Sequence, residues 1–150
     1  MKNHPIRYIA AVVMGLIFLW PVSGVAGIGK IKTIKGEVQI IRDGKTLQGK
    51  PGDVLEQADT VITGPDSGVG IIFIDNTLFS AGPESTIELT RFRFSASKRK
   101  QNVFHSRLKR GTLSVISGRI AKKYPDAMTV RTPSTILGVR GTRFLIRAGG

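Results

Sequence analysis

The 150-residue chain carries 23 Lys and Arg against 10 Asp and Glu, a net charge of +13, and no cysteine. One domain fits that length. Disulfides and thiol chemistry are excluded, and a field of this sign draws anionic partners and resists cationic ones.

Lys2 and Arg7 precede an apolar run, residues 9–19, broken only by the small Gly15. Trp20-Pro21 ends the run, and the small residues Ser23, Gly24, Ala26 and Gly27 follow. This is the anatomy of a secretory signal over residues 1–26, with the cut expected after Ala26. The alternative is an uncleaved inner-membrane anchor, but a spanning helix wants ~20 apolar residues. No cysteine follows the signal, which excludes a lipobox-type lipid anchor. The expected location is periplasmic or secreted. The expected domain is residues 27–150, long enough to bury a core without covalent staples. Its charge is uneven: residues 27–90 hold six Lys/Arg and nine Asp/Glu, residues 91–150 fifteen Lys/Arg and one acid, Asp126.

Past the signal, short apolar runs of period two are cut by Gly, Pro, Asn and Asp, which predicts an all-β domain. Residues 37–42 (EVQIIR) read as a strand, and Asp43-Gly44 supplies the two positive-φ positions of a type I′ hairpin turn. Pro51-Gly52-Asp53 is another turn. Residues 60–63 (TVIT) form a strand stopped by Gly64-Pro65. Residues 69–74 (VGIIFI) are apolar on both faces and predict a central strand, turned by Asp75-Asn76. Residues 87–94 (IELTRFRF) alternate over a long strand, and residues 95–102 (SASKRKQN) form an exposed basic loop. Strands at 113–116 (LSVI), 128–131 (MTVR) and 142–147 (TRFLIR) follow. A basic connection at 118–126 separates the first two and carries a helical turn before Pro125.

Gly64-Pro65-Asp66-Ser67 recurs eighteen residues later as Gly82-Pro83-Glu84-Ser85, each copy before a strand, and Thr132-Pro133-Ser134 is a looser third. Proline fixes φ and cannot donate to a ladder, so it marks corners. The acid and serine are expected to bond nearby amides and close the corner. Repeated corners predict short strands in a rolled or β-solenoid-like stack rather than a plain sandwich.

One ordered set of residues carries a resemblance. It comprises Gly36-Glu37-Val38, Gly52-Asp53, Val61-Ile62-Thr63-Gly64, Phe73-Ile74-Asp75-Asn76-Thr77, Gly82-Pro83-Glu84-Ser85, Gly111-Thr112-Leu113, Thr132-Pro133 and Val139-Arg140-Gly141-Thr142-Arg143-Phe144. In this order and spacing the chain resembles the FecR domain family over residues 34–147. The resemblance implies a β-rich, solenoid-like module of the bacterial envelope. In the regulators of that family, such a module receives a signal from an outer-membrane transporter and passes it to a cytoplasmic sigma factor. This chain has no internal transmembrane helix and no cytoplasmic segment for a sigma factor, so it resembles the free-standing secreted members. The usual Asp-Gly turn is Asp75-Asn76 here, and asparagine tolerates the left-handed region.

Catalytic readings lack partners. His105 is the one histidine after the signal, without a paired nucleophile, and reads as a surface or strand residue. No G-x-S-x-G elbow occurs. Asp53, Glu56 and Asp59 read as solvated turn acids rather than a calcium site, which wants 6–8 oxygens. Gly68-Val69-Gly70 has no helix after it to hold a phosphate. No cofactor is expected, and nothing chelates iron. Thr132-Pro133 reads as a corner, Gly138 and Gly141 as positions that permit a tight turn or close backbone approach, and Arg140 as a fork tying loop carbonyls or a carboxylate. Phe144 and Ile146 are expected on one face, Arg143, Leu145 and Arg147 on the other.

The sharper candidate is the basic surface. Arg91 and Arg93 share one face and Phe92 and Phe94 the other. Lys98, Arg99, Lys100, Lys109, Arg110, Arg119, Lys122 and Lys123 lie in or near loops. Together with Arg143 and Arg147, they would form an anion- or partner-binding surface if they converge, and a merely solvated exterior if they do not. The expected function is a non-catalytic binding, scaffold or signal-sensing module that recognises an envelope protein. The alternative is a binder of lipopolysaccharide, acidic glycan or an anionic membrane surface. Nucleic acid belongs to the wrong compartment.

Overall fold

The computed structural model describes residues 24–98 and 101–149. The expected signal up to residue 23, and Arg99 and Lys100 of the basic set, lie outside the described residues. In chain order the strands are β1 (Gly29–Lys35), β2 (Val38–Arg42), β3 (Lys45–Gln48), β4 (Val54–Leu55), β5 (Thr60–Thr63), β6 (Gly68–Phe73), β7 (Leu78–Ala81), β8 (Thr86–Arg93), β9 (Val103–Ile116), β10 (Met128–Arg131), β11 (Ile136–Gly138) and β12 (Arg143–Ala148). A short α-helix, α1 (Arg119–Lys123), and a 3-10 turn at Pro125–Ala127 precede β10.

These strands form one curled sheet with two facing halves. One half runs β4-β1-β6-β7, then the second part of β9, then β12. The other runs β3-β2-β5-β8, then the first part of β9, then β10 and β11. Every neighbouring pair is antiparallel except β9 with β10. The rolled sheet is therefore the form found, of the two expected: its strands turn back on one another rather than stacking as parallel coils.

Alternation explains the strands. β6 buries Val69, Ile71 and Phe73, and its central place between β1 and β7 half-covers the other face. β8 buries Ile87, Leu89 and Phe92 and turns Glu88, Thr90, Arg91 and Arg93 outward. Two residues in a row, Thr90 and Arg91, face out because a β-bulge lies between Glu88 and Arg91 in the pairing with β9. The core lies between the halves. Phe73 and Phe79 enter it from one side, Phe92 and Phe104 from the other, with ring centroids 4.6 Å (Phe73–Phe104), 4.9 Å (Phe92–Phe104) and 5.3 Å (Phe79–Phe104) apart. Aromatic pairs at such separations contribute about 0.5–1.5 kcal/mol each beyond their burial.

The repeated corners sit where the chain crosses between halves. Asp66 and Glu84 both take left-handed backbone (φ 51° and 50°). The serines, not the acids, close the corners. Ser67 Oγ donates to Pro65 O (2.9 Å) and accepts from Glu37 N (2.9 Å), and Ser85 Oγ accepts from Thr112 N (3.0 Å). Asp66 and Glu84 stay exposed. Each corner stacks on a glycine of the opposing crossing, Gly36 (φ 69°) on Ser67 and Gly111 (φ 93°) on Ser85. A Cβ at either glycine would collide with the serine. Thr63 Oγ1 links the two corners, donating to Gly82 O (2.7 Å) and accepting from Ser85 N (2.8 Å). Thr132-Pro133-Ser134 is built differently. It closes the β10–β11 hairpin within one half, with Thr132 N donating to Thr135 O (2.8 Å).

Asp43 and Gly44 take φ of 51° and 73° between β2 and β3, as the hairpin turn requires, and Asn76 is left-handed (φ 67°). Asp75 does more than turn the chain. Its buried carboxylate accepts from Thr77 N (3.0 Å), Thr77 Oγ1 (2.8 Å) and Ile120 N (3.2 Å), which fixes the start of α1 against the sheet. Asp59 is likewise no solvated turn acid. It is 1% exposed and holds the Arg42 fork at 2.9 Å (Nε) and 2.7 Å (Nη2), while Glu56 takes Nη1 at 2.8 Å. That hydrogen bond to Asp59 raises the Arg42 pKa above its ordinary value against the opposing effect of burial. Asp53 turns instead to Lys50 N (2.8 Å), so the three carboxylates do not converge.

Candidate functional site

The outer face of β8, β9 and β10 gathers positive charge in rows set by register. Arg91 on β8 lies opposite His105 on β9, which lies beside Thr129 on β10. One row along, Glu88 lies opposite Arg107, which lies beside Arg131. Lys109 is two residues further on the same face of β9, and Arg93 ends the β8 row opposite Val103. Five cations thus face one carboxylate. Glu88 pairs with Lys109 (2.5 Å) and at longer range with Arg107 (3.5 Å). Arg131 has no ion-pair or hydrogen-bond partner among the described residues.

Between β9 and the β10–β11 hairpin this face dips into an open cleft of about 480 Å³, lined by Arg107, Lys109, Arg131, Thr132, Ser134 and Ile136 among others. Hydroxyls beside guanidinium and ammonium groups suit a carboxylate or phosphate. Partial burial, then Arg91, then Arg131, hold His105 below its ordinary pKa. It is therefore neutral near pH 7, and an anion seated nearby would raise it again. His105 and Ser106 adjoin in sequence but face opposite ways, the serine buried at 1% exposure. They cannot act as a base and nucleophile.

The remaining predicted residues disperse. Arg110 turns to the corner and bonds Glu84 O (3.1 Å), near Arg147. Arg119 covers the Phe94 ring (4.8 Å), close to Lys123 and the loop that carries Lys98. Lys122 and Arg140 line a separate dip with Gly141 and Thr142. Arg140 is exposed and pairs with the exposed Asp126 (3.1 Å), where the sequence suggested a fork tying loop carbonyls or a carboxylate. Gly138 belongs to β11, and a Cβ at Gly138 or Gly141 would meet open space, so neither is the close-approach position expected; Phe144 packs against the core while Arg143 faces out. Of the candidate cations, Arg91, Arg93 and Lys109 share the outer face. Arg107 and Arg131 join them, and both are absent from the sequence-derived set. Their signal lies in alternation: Arg107 and Lys109 are two apart on one strand face, as are Thr129 and Arg131.

The FecR protein family model matches residues 59–150. That span begins at Asp59 and takes in every residue of the basic face. No curated protein and no solved structure matches the chain significantly.

Proposed function

Because the chain belongs to the FecR protein family, we propose that it is a non-catalytic recognition module of the bacterial envelope that binds a partner protein through the outer face of β8, β9 and β10. The observation that carries this reading is the convergence of Arg91, Arg93, Arg107, Lys109 and Arg131 on one sheet face beside an exposed hairpin. A flat, ordered array of this kind supplies long-range attraction and orientation. The adjoining apolar side chain of Ile136, 60% exposed and opposite Arg131, supplies contact that salt does not screen.

A polyanion reading draws on the same cations and the cleft hydroxyls. Salt separates the two. Residues 27–150 are immobilised and exposed to envelope extract, then washed at ~0.1 M and ~1 M salt, where charges are screened over ~10 Å and ~3 Å. The protein-partner reading expects one envelope protein retained through the lower wash and partly through the higher. The double variant Arg107→Glu/Arg131→Glu releases it. Retention of lipopolysaccharide or anionic vesicles alone, lost entirely at the higher salt, overturns that reading in favour of a polyanion.

A further inference from the structure

We propose that β11 is an open docking edge that takes an extended acidic segment of a partner as an added strand. The proposal rests on the basic-face reading and names what that face receives.

Two hydrogen bonds fix which way the backbone of β11 points. Val139 N donates to Met128 O (3.1 Å) and Thr132 N to Thr135 O (2.8 Å). In an antiparallel pair, hydrogen-bonded and non-bonded residue pairs alternate. With Leu137 opposite Val130, the bonded pairs are therefore 128/139, 130/137 and 132/135. Ile136 and Gly138 fall between them, so their N–H and C=O groups point away from β10 to the open side. These groups are two residues apart, ~6.8 Å, which is the spacing of a ladder.

Sheet edges are usually blunted by charge, proline or cover, and the other three edges of this sheet are. β3 begins with Lys45, and β12 carries Arg143 and Arg147. In β4, the Val54 carbonyl already accepts from Arg42 Nη2 (2.9 Å). β11 has no charged residue and no proline, and shows Ile136 and Leu137 to solvent.

The surroundings specify the occupant. A residue of an added strand opposite Ile136 lies on the Arg131 side of the sheet, two strand spacings (~10 Å) from the β10 backbone. That is within the joint reach of a glutamate and an arginine. The next residue faces Leu137 and is apolar. The one after lies opposite Gly138, in the row of Thr129, His105 and Arg91, and is again acidic. The fitting ligand is a strand alternating acidic and apolar side chains, a mode in which main-chain bonds give affinity and alternate side chains give specificity. A second copy of this chain would bring two sets of the same cations together and fits poorly.

The test uses residues 27–150 and a synthetic heptapeptide alternating Glu and Val, with its Lys–Val counterpart and inorganic polyphosphate as comparisons. Titration is followed by fluorescence anisotropy and by amide hydrogen exchange. Saturable binding of the Glu–Val peptide is expected, with slowed exchange at Ile136 and Gly138 and no binding of the Lys–Val peptide. Ile136→Pro removes an outward donor without breaking a hairpin bond, and should weaken binding about tenfold. Arg131→Glu should weaken it comparably. If Ile136→Pro perturbs the hairpin, exchange at Gly138 in the unaltered protein still decides. Absence of binding overturns the proposal. So does binding that leaves both amides unprotected, or that polyphosphate reproduces and displaces. Should the peptide fail while Arg107→Glu/Arg131→Glu still releases the envelope partner, strand addition is wrong and the basic-face reading stands.

Discussion

His105 shows how a sequence position acquires a field. Its strand neighbours across the sheet are Arg91 and Thr129, and Arg131 follows on β10. Desolvation and these two arginines lower its pKa in the folded chain. Near pH 7 the ring is mostly uncharged in both states. As pH falls below the unfolded value of ~6.5, the unfolded state binds the proton first, so the stability associated with this ring is present above that pH and lost as pH drops through the folded value. His105→Gln should therefore flatten the decline of Tm between about pH 7 and pH 5, measured by thermal denaturation at matched ionic strength. Glu88, Arg107 and Lys109 share that face. An equal decline in the variant would mean that His105 does not sense this field.

At the scale of elements, the two Gly-Pro-acid-Ser corners are pieces of one joint. Each carries a left-handed acid, a buried serine and an opposing glycine, and Thr63 couples them. Gly111 belongs to the joint twice: its φ of 93° disfavours a side chain, and its missing Cβ leaves room for Ser85. Gly44 has a similar φ of 73°, but a Cβ there would meet open space. Gly44→Ala should thus cost about 1 kcal/mol, while Gly111→Ala adds a backbone and side-chain displacement and should cost about 3 kcal/mol. Urea denaturation of the two variants checks this, and equal losses would mean that the close stacking of Gly111 on Ser85 contributes nothing.

Across the whole molecule, β9 is the strand that joins the halves. Its first part pairs with β8 and β10 and its second with β7 and β12. Phe104 lies on it, fully buried, in contact with rings from both sides. Phe104→Ala should lower stability by about 3–5 kcal/mol. Because one core serves both halves, unfolding should remain a single transition, seen as coincident fluorescence and circular-dichroism curves. Two separated transitions would mean that the halves are independent units. The same joining strand places the basic face on one half, while Arg143, Leu145 and Arg147 turn outward on the other.

What the sequence determined by itself was local. The alternation of residues 60–63 and 128–131, the positive-φ turn at Asp43-Gly44, the left-handed Asn76, the helical turn before Pro125 and the repeated corners all depend on near neighbours in the chain. β1, β3, β4, β7 and β11 are not legible there because they are short, lysine-bearing or at edges, where alternation is weak. The first ten residues of β9 escape for another reason: Lys109-Arg110-Gly111 resembles a loop, whereas Gly111 bends a continuous strand from one half to the other. Tertiary structure alone decided that Asp59 is buried against Arg42. It alone brought Arg107 and Arg131 alongside Arg91, Arg93 and Lys109 while sending Arg110, Lys122 and Arg143 elsewhere. The physical reason is register: a strand face is fixed by its own alternation, but its neighbours are chosen by pairings between residues far apart in the chain.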